Sequence, residues 1–451
     1  MPISPARLAA FNILVRVERE SSYADELLHS FLLQDLSPLD RNLCTEIVMG
    51  VLRWCSVLDE TIARLSFTPF RKLDLEVLTA LRMGVYQKQF LSKIPAHASV
   101  NETVELVKQA KKVSAAGLVN AVMRKVKSAP YDPAASNLTG LAYLVSALAH
   151  PKWLVERWTR QFGAERARLI CEYDQRIPAT ALRLNSVEEE AMLAAHNIQI
   201  APGMLMNNAR IVTNGDIAAI FQAQANTNQE NAAAGIAIQD EGSQLIAALM
   251  GSGQRILDCC AAPGSKTAAI ATLQPTAEII AAELHPHRAA LLRKLAPQSN
   301  IQVITADALS LPYKANFDRV LADVPCSGTG TLARNPEIKW KLKPEDLPDL
   351  QSRQIAILRA ALGYLAPGGR LIYSTCSLEP EENEEVVAAC LQGSPGFRLV
   401  PVREELTRLQ QAGDLVWKDL NALMAGDFLR TIPGVHPCDG FFAAVLEKPG
   451  S

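Results

Sequence analysis

Two cysteines stand where a soft nucleophile could act. One lies in Asp323-Val-Pro-Cys326-Ser-Gly-Thr-Gly330 and the other in Tyr373-Ser-Thr-Cys376-Ser377, fifty residues further on. Each follows an apolar run of strand type, and the interval fits one strand–helix crossover with an insertion. Most free cysteines are core residues, and that reading suits Cys44, Cys55, Cys171 and Cys390. A pair at the ends of neighbouring strands, next to Asp323, suggests addition chemistry. Carbon 5 of cytosine is too poor a nucleophile to take a methyl group directly. A thiolate adding to carbon 6 makes the ring an enamine whose carbon 5 can attack a sulfonium methyl. A carboxylate can hold the N3–H that appears in the adduct. A second thiol can then help expel the first. Spacing leaves open which cysteine does which.

The elements that must position these residues form a regular alternation from about Ile236. Apolar strands are expected at Arg255–Cys260, Glu278–Glu283, Gln302–Asp307, Asp318–Val324 and Arg370–Thr375, with helices such as Pro286–Leu295 and Leu350–Leu365 between them. Continuous apolar strands separated by helices imply a doubly wound parallel sheet. Its ligands should lie beyond the carboxyl ends of the strands.

The first strand runs into Asp258-Cys-Cys-Ala-Ala-Pro-Gly-Ser-Lys-Thr267. Gly264 and the small residues allow a sharp turn, and the next helix aims its N–H groups at a ligand. The loop matches neither the dinucleotide nor the nucleoside triphosphate glycine pattern. Glu283, Asp307 and Asp323 end the second, third and fourth strands. Any one acid there could merely cap a helix. Three in register with a glycine loop describe a pocket for a nucleoside with a cationic amino-acid tail, which S-adenosylmethionine fits.

The rest of the chain reads differently. Residues 1–135 are expected to be all-α, with amphipathic stretches at 43–51, 75–85, 99–112 and 115–127, and Ser37-Pro38 as a cap. A linker with two prolines follows at Ser128–Ser136. Residues 150–235 suit a small α+β module, with a helix at Trp153–Phe162 and strands at Thr180–Leu184 and Arg210–Val212. The regular α/β part occupies 236–451.

With 451 residues, 20% charged and 49% hydrophobic, the chain has the composition of a globular protein of about three domains, and disorder is excluded as its main state. No apolar run reaches the ~18 residues of a membrane helix, and no secretory signal is expected. Nine cysteines without a Cys-x-x-Cys pair signal neither a disulfide framework nor zinc, so a cytoplasmic, metal-free protein is expected. The net charge of −2 argues against a generic nucleic-acid binder. Yet Arg82–Lys127 carries nine Lys or Arg against two acids, including Lys108, Lys111, Lys112, Arg124, Lys125 and Lys127. Arg334, Lys339, Lys341 and Lys343 surround Trp340. Such runs are either solvated faces or phosphate contacts.

Taken together, the Asp258–Thr267 loop, Asp323-Val-Pro-Cys326-Ser-Gly328, Asn335-Pro-Glu-Ile-Lys-Trp340, Ser374-Thr-Cys-Ser377, Pro380-Glu-Glu-Asn383 and Asp439-Gly-Phe-Phe442 resemble the RNA cytosine-5 methyltransferases. Ahead of them, Asp40-Arg41, Gly50-Val-Leu-Arg53, Pro95-Ala-His-Ala98, Val100-Asn-Glu102 and Val119-Asn-Ala-Val-Met-Arg124 look like the NusB-type RNA-binding domain that marks the bacterial 16S rRNA branch. The resemblance spans nearly the whole chain. It implies a Rossmann-like S-adenosylmethionine-dependent methyltransferase domain, preceded by an all-α NusB-like domain and a small α+β connector. It implies Cys376 as nucleophile, Cys326 as the residue that helps break the adduct down, and Asp323 beside them. Cys260, Ala261, Ala262, Pro263, Gly264, Ser265, Lys266, Glu283, Arg288, Asp307 and Asp323 would line the cofactor pocket. Ser265 replaces the family's usual second glycine, and Glu283 stands where many members have Asp. The implied substrate is unassembled or partly assembled 16S rRNA, at cytosine 967, with no obligate protein partner and no membrane. The basic run then becomes an expected RNA contact, and Lys339, Trp340 and Lys341 expected parts of a substrate channel. Alternatives are a transfer RNA or another rRNA site, and a non-catalytic assembly factor.

Overall fold

The computed structural model describes residues 3–20, 23–28, 33, 35–92, 94–217, 220–221, 235–314 and 316–450. They form two compact units: Met1–Ile177 with Leu332–Leu342, and Pro178–Thr331 with Lys343–Ser451. The expected connector segment is thereby divided, its helices Lys152–Phe162 and Ala164–Asp174 in the first unit and its strands, with the helix Val187–Ala195, in the second. Residues 218–219 and 222–234 of that segment, and Lys93 of the basic run, lie outside the described residues.

The first unit is helical. Ser37 accepts a hydrogen bond from the Asp40 N–H, and Pro38 opens the helix Pro38–Arg53, as the sequence predicts. The helix Leu75–Phe90 is buried on nearly all sides, through Val77, Leu81, Met83 and Val85. Helices Pro5–Arg19, Cys55–Leu65, Ala96–Gln109 and Ala116–Lys125 supply its neighbours in one core. Two further helices, Lys152–Phe162 and Ala164–Asp174, lie in the same unit.

In the second unit a small antiparallel sheet comes first, made of β1 (Ala181–Arg183), β2 (Gln199–Pro202), β3 (Ala209–Asn214) and β4 (Ala237–Ile238), in the order β2-β3-β1-β4. The large sheet contains β5 (Arg255–Asp258), β6 (Glu278–Glu283), β7 (Ile301–Thr305), β8 (Phe317–Asp323), β9 (Leu365–Thr375), β10 (Arg398–Val400), β11 (Met424–Ala425), β12 (Phe428–Arg430) and β13 (Phe442–Glu447). Strands β9-β8-β5-β6-β7 run parallel in that order, and β13 continues the sheet antiparallel to β9.

Successive residues on each parallel strand enter different cores. Ile256, Ile279, Leu321 and Ile372 pack on one face with Leu245, Ile246 and Leu406. Leu257, Ile280, Val320 and Leu371 pack on the other with Leu358, Leu362 and Val386. Both faces are covered, which is why the strands read as unbroken apolar runs. Chain order reverses at β5, which lies between β6 and β8. A crevice at such a switch point, beyond the strand carboxyl ends, is the place this topology offers a ligand. Among the described residues, no helix is long and apolar enough to cross a membrane.

Candidate active site

Every strand that borders this crevice ends in a polar residue. Asp258 closes β5, Glu283 closes β6, Asp323 closes β8 and Thr375 closes β9, while Asp307 lies two residues beyond β7. The loop Cys260–Lys266 turns from β5 into the helix Ser265–Leu273 at Gly264, whose φ is +118°. A Cβ there would approach Leu292 Cδ1 to 2.6 Å, so this position requires glycine. Beneath the loop, Asp258 Oδ2 accepts from Thr267 Oγ1 at 2.7 Å, and burial pushes the Asp258 carboxyl up to about 7. Arg288 Nη2 donates to the Ala262 carbonyl at 3.4 Å, bracing the loop from the next helix.

The acids on the far side of the loop retain binding capacity. Glu283 Oε1 accepts from the His285 N–H at 2.9 Å, and Asp307 Oδ1 from the Leu309 N–H at 3.0 Å. Among the described residues, each has its second oxygen without a hydrogen-bond donor. On adjacent strands, beside a small-residue loop, those oxygens suit the hydroxyls and amine of an adenosyl amino acid, so the donor set fits the expected cofactor.

The cysteines meet at the other side of the crevice. β8 and β9 are neighbours with Asp323 opposite Ser374, so the segments after them emerge together. Cys326 Sγ and Cys376 Sγ are 3.3 Å apart, and both residues are half-buried. The hydrogen bond with Cys376, then burial and the negative charge nearby, push the Cys326 thiol well above its ordinary value. Asp323 Oδ1 accepts from Ser374 Oγ at 2.7 Å, and Oδ2 pairs with Lys266 Nζ at 2.8 Å. Burial draws the Lys266 ammonium down, but Asp323 outweighs it and holds the group above its ordinary value. The loop after Cys326 is fixed by the Gly330 N–H on the Cys376 carbonyl at 2.9 Å. A Cβ on Gly330 would come within 2.3 Å of the Gly440 carbonyl oxygen, which explains why Asp439-Gly-Phe-Phe442 accompanies the cysteines.

The structure thus gathers Cys326, Cys376 and Asp323, and places the cofactor residues along the same strand edge. It also reveals Ser374, Lys266 as the partner of Asp323, and a buried carboxylate, Glu382. The sequence signal for the last was Pro380-Glu-Glu-Asn383, which carried no role.

Two expectations are corrected. Lys339 is buried rather than open to a substrate, and Trp340, half-buried, is held by a backbone carbonyl. Both pack within the first unit, where Trp340 Nε1 donates to the Leu52 carbonyl at 2.6 Å and Arg53 Nη2 to the Ala333 carbonyl at 2.8 Å. The Ala24 N–H binds Glu337 Oε1 at 2.8 Å in the same unit. The basic run Arg82–Lys127 is also not a uniform RNA surface. Arg82 is buried against Asp59 at 2.6 Å, Lys88 caps the carbonyls of Met123 and Val126, and Lys112 pairs with Asp74 at 2.9 Å. Lys108, Lys111, Arg124, Lys125 and Lys127 remain exposed.

Lys339 is 1% exposed, its Nζ has no hydrogen-bond partner among the described residues, and burial lowers its pKa to about 7. The unfolded chain therefore binds the proton more tightly, so this residue makes stability rise as pH increases from about 7 towards the ordinary lysine value. From about pH 7 to pH 9 the rise should be about 2 kcal/mol. Lys339→Met should abolish it and be the more stable protein near neutrality. Denaturant unfolding of both proteins across this range checks the point, and parallel profiles would refute it.

Residues 247–447 match the family described as 16S rRNA methyltransferase RsmB/F, and residues 4–128 match the NusB family. The chain is 31% identical to a probable ribosomal RNA small subunit methyltransferase B of Bacillus subtilis, over 100% of both chains. It is 30% identical to the ribosomal RNA small subunit methyltransferase B of Vibrio cholerae, over 92% of this chain and 91% of that one. The crystal structure of PH0851 superposes with a TM-score of 0.78 at 22% identity, covering 99% of this chain and 100% of that one, a likeness of fold.

Proposed function

Because this chain belongs to the ribosomal RNA small subunit methyltransferase B family, we propose that it methylates carbon 5 of one 16S rRNA cytosine, at position 967, through a covalent cysteine–cytosine adduct. The observation that carries this reading is the pair of thiols 3.3 Å apart beside the Lys266–Asp323 ion pair. The loop Cys260–Lys266 with Glu283, Arg288 and Asp307 would hold S-adenosylmethionine, which supplies an electrophilic methyl group on a sulfonium centre.

The chain's own residues supply the remaining steps. Cys376 Sγ adds to carbon 6 of the cytosine. The electron density that moves onto the ring is taken up at N3 with a proton from water, and Asp323, paired with Lys266, accepts the resulting N3–H. After methyl transfer the Cys326 thiol first gives its proton to water, its thiolate then removes the carbon 5 proton, N3 returns its proton to water, and Cys376 leaves as a thiolate as the ring double bond re-forms. A cytosine must leave its stack to reach Cys376, which favours unassembled or partly assembled RNA. The exposed cations Lys108, Lys111, Arg124, Lys125 and Lys127 would meet its phosphates. This work would be done in the cytoplasm, with no obligate protein partner.

The test is methyl transfer from labelled S-adenosylmethionine to 16S rRNA, with the product nucleotide mapped. A single 5-methylcytosine at the expected position is the predicted result. Transfer to a different RNA would keep the chemistry and change the substrate. Cofactor binding without transfer to any RNA would favour an assembly factor.

A further inference from the structure

The residues that follow the two cysteines repeat their pairing. Ser327 Oγ and Ser377 Oγ are 3.0 Å apart, and both hydroxyls donate to one buried carboxylate oxygen, Glu382 Oε2. The other oxygen, Oε1, takes the Ser327 N–H at 2.8 Å and Gln354 Nε2 at 2.9 Å. Glu382 has no exposed surface. A carboxylate with no water around it needs several donors, and these four supply them. Conversely, four donors converging on one side chain call for a group that only accepts.

Glu382 is itself held firmly. Its carbonyl accepts from Tyr373 Oη at 2.6 Å, and the adjacent Asn383 bridges Thr375 Oγ1, at 2.6 Å, to the Ser377 carbonyl, at 2.9 Å. Thr329 Oγ1 receives the Leu378 N–H at 2.9 Å, which closes the two loops on each other beyond the serines.

We propose that Glu382 is a positioning residue for the thiol pair: it clamps the Cys326 loop to the Cys376 loop and keeps its carboxylate on the Cys326 side. The proposal rests on the roles assigned to the two cysteines above. Cys326 faces Cys376 from the end of β9, Glu382 from the turn after it and Tyr373 from within β9. Lys266, paired with Asp323, faces Cys376. The cation of this set thus stands on the Cys376 side, while the buried anion opposes a thiolate on Cys326. Two thiols in contact cannot share both roles, and Glu382 breaks the tie. It touches no reacting atom.

The experiment is alkylation of the full-length protein with iodoacetamide across a pH series, with the rates at Cys326 and Cys376 read from their peptides. In the wild type, Cys326 should react only at high pH. Glu382→Gln keeps the shape but removes the charge, and should speed Cys326 alkylation about tenfold near pH 8. In methyl transfer the same variant should lose about 10²-fold in kcat with the KM for S-adenosylmethionine unchanged. Ser377→Ala keeps the charge and weakens the clamp, so kcat should fall about three- to tenfold while the Cys326 pH profile stays in place. A purely structural role would move neither the profile nor the kcat-to-KM split. Wild-type alkylation of Cys326 in Glu382→Gln would overturn the proposal. Should that variant not fold, undiminished kcat in the Ser327→Ala/Ser377→Ala double variant would overturn it equally. Because alkylation needs no RNA, this result stands apart from any failure to find 5-methylcytosine.

Discussion

Cys376→Ala should lower methyl transfer to 16S rRNA by about 10⁴-fold or more while leaving S-adenosylmethionine binding intact. Without a sulfur on carbon 6 the cytosine ring has no enamine, and carbon 5 has no electron pair to give to a sulfonium methyl. The other thiols of the strand edge are poor substitutes, and burial raises the Cys260 thiol above its ordinary value. Cys326 emerges from β8 rather than β9, and its proton is held by its surroundings. The cofactor side is built from different strands, β5, β6 and β7, with Gly264, Glu283 and Asp307 at their ends, so its affinity should persist. The residue is half-buried and the substitution removes one sulfur atom, so stability should change by about 1 kcal/mol or less. Calorimetric titration and single-turnover transfer on the same preparation check both halves. Transfer within about tenfold of wild type would remove Cys376 as the nucleophile.

Much of this site was legible because its residues sit at ends of strands, and strands of a doubly wound sheet announce themselves as apolar runs. The helix Pro286–Leu295 and the strand Glu278–Glu283 have the predicted limits, since Pro286 can start a helix and the acids mark the strand ends. The ordering β9-β8-β5-β6-β7 was not written in any one segment: parallel strands and right-handed crossovers do not say that the chain returns past β7 and β6 to lay β8 beside β5. What could not be read was long-range polar satisfaction. Lys339 and Trp340 looked like an exposed basic–aromatic channel because cations are seldom buried. Only the packing of Leu332–Leu342 within the helical unit shows that Trp340 needs the Leu52 carbonyl. Arg82 likewise counted towards a basic surface until Asp59, twenty-three residues away, neutralised it. Glu382 was hidden for the opposite reason. Its four donors come from three separate segments, and no periodicity connects them.

Cys326→Ala should do something different from Cys376→Ala: it should trap the intermediate. Turnover is expected to fall by about 10²- to 10⁴-fold, the usual worth of a positioned acid or base. Protein joined to RNA should survive denaturation and appear as a shifted band. The geometry supplies the reason for a switch in the role of Cys326 during the cycle. In the free enzyme its proton is held first by the hydrogen bond with Cys376, and then by burial. Once Cys376 Sγ is bonded to carbon 6 it can no longer carry a thiolate charge, so the largest of these influences is gone. The thiol that was kept protonated thereby loses its proton to water more easily, before the carbon 5 proton has to be removed. Carbon 5 is one bond from carbon 6, and the two sulfurs start 3.3 Å apart, so the base is already within reach. With alanine in its place, methyl transfer can still occur once, but elimination of Cys376 lacks its base and the adduct persists. The double variant Cys326→Ala/Cys376→Ala should give no band, which identifies the sulfur that holds the RNA. Rapid turnover of Cys326→Ala without an adduct would return the deprotonation step to water and leave Cys326 with no part in the reaction.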